Sequence, residues 1–390
     1  MRKTVLPVDG AKWEFRPLHF ELVGLDPATR YTYEIESSNL TGTEKRQGQF
    51  TTKKLWQWRQ PAPDFSFITG SCAYFNENGY DRPGRPYGGD TSIFQTMGQE
   101  DAAFMMWLGD NWYTREVDYS SPWGLWYRVS RERALPVMKD LYRNMPNYAI
   151  WDDHDFGPND IGKEYIYKEE SREVFKQYWA NPSYGEYGKG VYTKFAYSDV
   201  DFFMLDDRTW RSSDELLDSV DGKPNTMKEM FRAQQMEWMM NALAGSTATF
   251  KIITTGTQML NPVSPYNCFR RYPAEYNALL NFIDEQKIPG VVFLTGDRHH
   301  SEVIELKGKI GYPLYDITVS PLTSGTHVIS GPETVNPYRV FKLDQKQNYA
   351  KISVSGKLGD RNMKVAFFDA HGKDLGEWNV SSATLTYPKK

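Results

Sequence analysis

No run of 18 apolar residues occurs in the sequence, so nothing in it reads as a membrane-spanning helix. Positive charge is scarce as well. The 46 Lys and Arg are outnumbered by 50 Asp and Glu, for a net charge of −4, and a chain without a basic field is poorly built to hold a nucleic-acid backbone. Cysteine is nearly missing: Cys72 and Cys268 are the only two in 390 residues. Two cysteines make no disulfide framework, and Cys268 reads as a free or semi-buried thiol. A leader is not evident either. Met1-Arg2-Lys3 is basic, but the apolar run that should follow stops at Asp9-Gly10, which leaves a cytoplasmic chain or one whose leader has been removed. There is no internal repeat and no low-complexity tract.

Aromatic residues, by contrast, are plentiful. With 25 Tyr, 21 Phe and 12 Trp they reach 15%, a level that suits a stiff, rim-rich enzyme or a sugar-binding module. The first 55 residues read as β. Phe20–Leu25 precedes Pro27, Arg30 to Glu36 alternates large and polar side chains, Thr41-Gly42-Thr43 turns the chain, and Gln49 to Thr52 resumes it. The stretch from Leu22 to Thr52 is similar to the last strands of a fibronectin type III sandwich. A whole sandwich needs about 100 residues, so residues 1–60 are expected to form a truncated module, with Trp56–Pro63 as a linker.

From Asp64 to about His327 the pattern changes. Apolar strands are expected at Phe65–Thr69, Phe104–Leu108, Tyr148–Trp151, Phe202–Leu205, Lys251–Thr255 and Val291–Thr295. Between them lie helical stretches at Thr91–Gln99, Trp123–Arg133, Glu164–Trp179, Met227–Leu243 and Pro273–Gln286. Alternation of this kind means an α/β layered core. After Arg339 the β signal returns at Tyr349–Val354, Lys364–Phe368 and Glu377–Val380. The expected division is a catalytic domain over 64–335 and a C-terminal β extension over 336–390, packed on the core.

Polar clusters sit where these strands end. Phe65–Thr69 leads into Gly70-Ser71-Cys72, and Phe104–Leu108 into Gly109-Asp110-Asn111-Trp112-Tyr113. Tyr148–Trp151 leads into Asp152-Asp153-His154-Asp155, and Phe202–Leu205 into Asp206-Asp207-Arg208. Val291–Thr295 leads into Gly296-Asp297-Arg298-His299-His300. Ligands gather outside the carboxyl ends of strands in open α/β sheets, so these clusters are expected to converge. A lone Gly-Asp is as often a turn or cap, and a lone cysteine is more often core than ligand. Three acids at one strand end are harder to dismiss, because they repel one another unless a cation or an Arg offsets them.

Taken in order, these motifs resemble the alkaline phosphatase D family within the calcineurin-like metallophosphoesterases, over residues 64 to about 330. The resemblance implies a four-layer α-β-β-α core with a small β-sandwich in front. It departs from the wider superfamily at the first motif, where Ser71-Cys72 replaces the usual Asp and His. The resemblance implies a metal centre drawn from Cys72, Asp110, Tyr113, Asp152, Asp153, Asp297 and His299, with Asp110 bridging and the choice between Asp152 and Asp153 open. A thiolate and a phenolate together suit ferric iron. The resemblance adds calcium on the carboxylates, with zinc or manganese as alternatives.

Phosphate esters, mono- or diester, are then the implied substrates, attacked by a metal-bound water or hydroxide. His154 is expected to serve as general acid or phosphate contact, and Arg208 and His300 to hold the non-bridging oxygens. The other reading of Arg208 is a salt bridge to Asp206 or Asp207. Within enzymes the competing expectation is a phospholipase D-like phosphodiesterase, with Asn111–Tyr119 and Trp123–Tyr127 as an apolar rim. Outside enzymes it is a calcium-stabilised carbohydrate-binding or adhesive module, which would have no need of Cys72, Tyr113 or His154. A small-molecule or lipid phosphate ester as partner, no obligate nucleic acid, and a secreted or periplasmic location complete what the resemblance implies.

Overall fold

The computed structural model describes residue 15 and residues 17–39 and 42–388. The apolar run up to Asp9-Gly10 and Thr41 of the expected turn lie outside them. At the front, β1 (Arg30–Asn39) and β2 (Gly42–Thr51) form an antiparallel hairpin. Then come β3 (Phe65–Gly70), α1 (Ile93–Met97), β4 (Met105–Leu108), α2 (Glu116–Tyr119), α3 (Pro122–Arg133), α4 (Lys139–Asn144), β5 (Asn147–Ile150), α5 (Asp153–Phe156) and α6 (Lys168–Tyr178). The second half carries β6 (Thr193–Tyr197), β7 (Val200–Met204), the two-residue strands β8 (Ser219–Val220) and β9 (Lys223–Pro224), and α7 (Arg232–Ala244). It continues with β10 (Phe250–Thr255), α8 (Pro273–Glu285), β11 (Val291–Thr295), β12 (Ser301–Leu306) and β13 (Leu314–Thr318). β14 (Arg339–Leu343), β15 (Tyr349–Lys357), β16 (Asp360–Phe368) and β17 (Asp374–Ser381) close the chain.

Two sheets dominate. One has seven strands in the order β14-β12-β13-β11-β10-β7-β6, the other six in the order β17-β16-β15-β3-β4-β5. Side-chain alternation along a strand sorts their residues. In β4, Met106 and Leu108 face the space between the sheets, where Phe67 of β3 meets Phe202 of β7 edge to face at 5.2 Å. Met105 and Trp107 face the other way, onto Phe94 of α1, Leu125 and Val129 of α3 and Phe175 of α6. Helices α7 and α8 cover the seven-stranded sheet with Met239, Leu243, Leu279 and Ile283. The result is the expected α-β-β-α layering.

The expected strands and helices from Phe65 onward appear within a few residues of their anticipated bounds, and β6, β12, β13 and β14 are additional to them. Phe20–Leu25 is not a strand, and among the described residues the front module is the β1/β2 hairpin alone. The C-terminal segment supplies strands to both sheets: β15 pairs with β3 from Ala350↔Thr69 to Val354↔Phe65, and β14 pairs with β12. Strands β12 and β13 escape a reading by apolar runs because charged residues interrupt them. Glu302 of β12 is buried, but accepts hydrogen bonds from Gln258 Nε2 at 2.8 Å and Arg339 Nε at 2.6 Å.

One buried cation ties the sheets together. Arg361 of β16 is fully buried and pairs with Asp64, just ahead of β3, at 2.5 Å and with Asp199, just ahead of β7, at 3.0 Å. Arg361→Ala would strand the Asp199 carboxylate in the interior, a loss of about 3–5 kcal/mol when one partner of a buried pair is removed. The expected outcome is a clear fall in the urea midpoint with turnover per folded molecule unchanged. An unaltered midpoint would show that the pair contributes nothing.

Candidate metal centre

Strands β3, β4 and β5 run parallel, as do β7, β10 and β11. Their carboxyl ends therefore lie along one edge, and the polar clusters read from the sequence meet there. Four of the residues involved have left-handed backbone: Cys72 (φ 62°), Asp110 (51°), Asp297 (66°) and His299 (54°). Non-glycine residues adopt this region rarely, at about 1–3 kcal/mol each, and such strain gathers at functional sites. Neighbouring backbone holds it in place. The Cys72 N–H bonds Gly109 O at 3.3 Å, the Ala73 N–H bonds Asp110 O at 2.8 Å, and the His299 N–H bonds Ser320 Oγ at 2.9 Å. Gly256 lets this edge close: a Cβ there would lie 2.5 Å from Asp152 Cγ.

Two groups of donor atoms result, each within 4.8 Å of one another: Cys72, Asp110 and His299, and Asp110, Asp153 and His154. Asp110 belongs to both. Tyr113 completes the first group, its hydroxyl 3.0 Å from Asp110 Oδ2 and 3.1 Å from His299 Nε2. Cys72 Sγ lies 3.5 Å from Asp110 Oδ2 and accepts from Ser320 Oγ at 3.2 Å.

Crowding of anions sets the electrostatics. Burial and then the charge of Asp153 raise the Asp110 carboxyl well above the usual range. Burial and Asp110 do the same to the Cys72 thiol and the Tyr113 hydroxyl. Asp297 is pushed up to about 7 by burial and by Asp153. Asp153 goes the other way. Burial opposes it, but His154, Arg208 and the Asp160 N–H at 2.7 Å hold its carboxyl below the ordinary value. Several buried polar atoms here have no hydrogen-bond partner: Asp152 Oδ2, Asp153 Oδ1, His154 Nδ1 and Asp207 Oδ1. Orphaned buried groups are rare and need an explanation. Cations among them would satisfy these atoms and offset the crowded charge, so the donor set fits metal ions.

Arg208 departs from both expectations. Its guanidinium, 1% exposed, bonds Asp152 Oδ1 through Nε at 2.6 Å and through Nη2, and lies 3.8 Å from Asp153. It is neither an open clamp nor a partner of the Asp206 or Asp207 side chains. Asp206 is occupied by the Trp151 indole, the Thr209 hydroxyl and three backbone N–H groups. Asp207 accepts from Thr255 Oγ1 and the Thr257 N–H. With one oxygen fixed by Arg208, Asp152 is left outside the two donor groups, which take Asp153 instead. Asp297 and His300 also lie outside them. His300 is buried, its Nε2 3.4 Å from Glu302, and it lines a cavity of about 250 Å³ with Tyr266, Arg298 and His327. Cys268 is a free, fully buried thiol.

A family model described as PhoD-like phosphatase matches residues 67–358 of the 390. The chain belongs to the PhoD-like phosphatase family. Alkaline phosphatase D of Bacillus subtilis (strain 168) is 24% identical over 332 residues, 73% of this chain and 53% of that protein. The chain thus spans about half the length of the curated relative it matches. The solved structure of PhoD superposes with a TM-score of 0.69 at 18% identity, covering 92% of this chain and 79% of that one. Purple acid phosphatase PPD1 from yellow lupin (Lupinus luteus) seeds gives 0.61 at 13%, covering 92% and 61%. At such identities these two show that the fold is shared.

In this PhoD-like chain the sequence reading missed Tyr87, Ser320 and Ser324. Tyr87 Oη is 3.1 Å from His299 Nδ1, and Ser324 Oγ is 3.4 Å from His299 Nε2. The serines follow β13, and recognising that strand would have exposed them as one more strand-end cluster. Tyr87 stands in a glycine- and proline-rich loop with no periodic signal.

Asp110, Asp152 and Asp297 all sit above the ordinary carboxyl value of 3.8, Asp297 at about 7. A raised carboxyl keeps its proton in the folded chain after the unfolded chain has lost it. Its contribution to stability is therefore full below the unfolded pKa and is lost as pH rises through the folded one. Metal-stripped protein is expected to lose denaturation midpoint between about pH 5 and pH 8, and divalent cations to flatten that slope. A flat profile in the stripped protein would contradict the crowding.

Proposed function

We propose that the chain hydrolyses phosphate mono- and diesters at a centre of at least two cations that share Asp110. The observation that carries this is the pair of donor groups meeting at Asp110 on the strand-end edge, ringed by unpartnered buried oxygens and nitrogens. Cys72, Tyr113 and His299 with one oxygen of Asp110 suit ferric iron, a hard ion that tolerates anionic S and O donors. Asp153 and His154 with Asp110 form the second position, for which calcium is the leading occupant and zinc or manganese the alternatives. Bound cations would supply Lewis acidity, drawing charge from the phosphoryl oxygens and making water nucleophilic near neutral pH.

The residues themselves do the arranging. Asp110, with its Oδ1 accepting the His154 N–H at 3.2 Å, fixes the spacing of the two positions. Arg208 neutralises Asp152 and so keeps the β5 end from being forced apart. His154, expected from the sequence as acid or phosphate contact, lies close enough to Asp110 and Asp153 to serve as a cation donor, and we assign it that role. His300 faces the cavity beyond His299 and remains the proposed contact for a phosphoryl oxygen. Export from the cytoplasm belongs to the same proposal and rests on the family likeness.

Of the two segments expected as an apolar rim, Trp112 and Trp126 are buried at 3% and 7% exposure, whereas Val117 and Trp123 are 56% and 39% exposed, so only part of that rim faces solvent. Trp107, Trp151 and Trp179 are fully buried too, which removes them from any sugar-binding face.

The test joins elemental analysis, on protein purified without chelator, to turnover of p-nitrophenyl phosphate and bis(p-nitrophenyl) phosphate. Wild-type protein is expected to carry metal and turn over at least one ester. Asp110→Asn should lower turnover by well over about 100-fold, because it disturbs both positions. His154→Ala should lose one metal equivalent and keep the other. Retention of both metals in that variant would restore His154 to a proton-donating role, and metal-loaded wild type inert on both esters would refute the hydrolase reading.

A further inference from the structure

The chain segment between β3 and α1 passes over the first donor group, and Tyr87 is its point of contact. Tyr87 Oη lies 3.1 Å from His299 Nδ1, while His299 Nε2 faces Tyr113 Oη at 3.1 Å and shares a donor group with Cys72 and Asp110. The Tyr87 ring has little freedom. It packs against Gly325 so closely that a Cβ there would lie 2.8 Å from it, and Tyr74 meets it edge-on at 4.9 Å. The segment is pinned directly after Tyr87. Asn76 exchanges two hydrogen bonds with Gly88 at 2.8 and 3.0 Å, and the Gly89 N–H bonds Thr323 O at 2.7 Å.

We infer that Tyr87 is the positioning residue that fixes the tautomer and rotation of His299, so that Nε2 presents its lone pair to a cation held with Cys72, Asp110 and Tyr113. The inference rests on the proposed metal centre. A neutral imidazole has one N–H and one lone pair. If Nε2 is to be a ligand, the proton must sit on Nδ1, and Nδ1–H then needs an acceptor. Metal-bound histidines ordinarily find one in a carboxylate, carbonyl or water, and losing it lowers affinity by about 10–100-fold. Here the Tyr87 phenol oxygen stands in that place, with the Gly325 backbone as a further hydrogen-bonding neighbour of the imidazole ring. Among the described residues no carboxylate is in that role, so the ligand gains its orientation without another negative charge in an already crowded site.

Cobalt(II) titration tests this, because a cysteine-to-cobalt charge-transfer band reports loading of the group that contains Cys72. Tyr87→Phe removes the one oxygen and keeps the ring. Tyr74→Phe is the control: it removes the hydroxyl that donates to Asp81 Oδ1 at 2.6 Å in the same segment, with no contact to His299 Nδ1. The expected result is a cobalt Kd about 10–100-fold higher in Tyr87→Phe, wild-type affinity in Tyr74→Phe, and equal unfolding midpoints for the two metal-free variants. Unchanged affinity in Tyr87→Phe overturns the assignment, as does an equal loss in Tyr74→Phe, which would mean that order in the segment matters rather than the Nδ1 bond. Wild-type protein that binds no cobalt would refute the metal centre and the role of Tyr87 together, which keeps the two failures apart.

Discussion

One constraint governs the edge where the strands end: too many buried anions stand too close together. Asp110, Asp152, Asp153 and Asp297 converge beside Cys72 and Tyr113, and Arg208 is the cation that reaches them directly, bonding Asp152 and approaching Asp153. A single guanidinium cannot neutralise four carboxylates. The chain answers in two ways. It pushes the titration of Asp110, Asp152 and Asp297 upward, and it leaves several buried oxygens and nitrogens without hydrogen-bond partners. Both responses are costly unless positive charge can enter. Cation binding at the proposed centre would thus follow from the fold's electrostatics, and it would be linked to proton release, since each donor has to ionise to bind.

Such a site needs a frame that does not yield. Parallel strands from two sheets bring their ends to one edge, and left-handed residues at Cys72, Asp110, Asp297 and His299 turn the donors inward. That backbone would relax if the strands could drift. They are held by a close-packed aromatic layer, in which Phe67, Phe104, Phe195 and Phe202 meet between the sheets, and by Arg361 joining β16 to Asp64 and Asp199. The C-terminal strands have a direct part in this. β15 is the antiparallel neighbour of β3, so the strand that delivers Cys72 is paired on both sides. The segment expected as a β extension packed on the core thus supplies a strand beside the one that leads to Cys72.

Most of this layout was legible in the sequence because strand ends carry the chemistry. Five buried-strand signals each ran into a polar cluster, and chain order alone made convergence a sound expectation. What could not be read was the direction of individual side chains. Asp152 and Asp153 are adjacent, yet their fates diverge: Arg208, 56 residues away, takes an oxygen of Asp152, which leaves Asp153 to the donor group. That partition is tertiary, and no local pattern encodes it. Arg208 itself follows two acids, so sequence proximity pointed to the wrong partners. Asp206 proved to be committed to an indole and a turn. The β12 and β13 strands were hidden for a related reason, since Glu302 and Asp316 look like surface charges until their buried partners are known.

The aromatic content, which first suggested a binding rim, also takes its meaning from burial. Aromatic pairs gain about 0.5–1.5 kcal/mol beyond the area they bury, and they prefer fixed tilted or offset geometries. A core rich in them resists the sliding that would let strand ends relax. Around the donor groups the same residues take a second role, because Tyr113 and Tyr87 flank His299 and Tyr74 packs edge-on against both of them. Each presents an apolar ring to its neighbours and a hydroxyl to a polar atom. Tyrosine therefore solves a problem that a carboxylate or an aliphatic side chain could not: it excludes water from strained, charged loops while supplying oriented oxygen and adding no formal charge. The abundance of tyrosine in this sequence and the crowding of its acids are two sides of one physical arrangement.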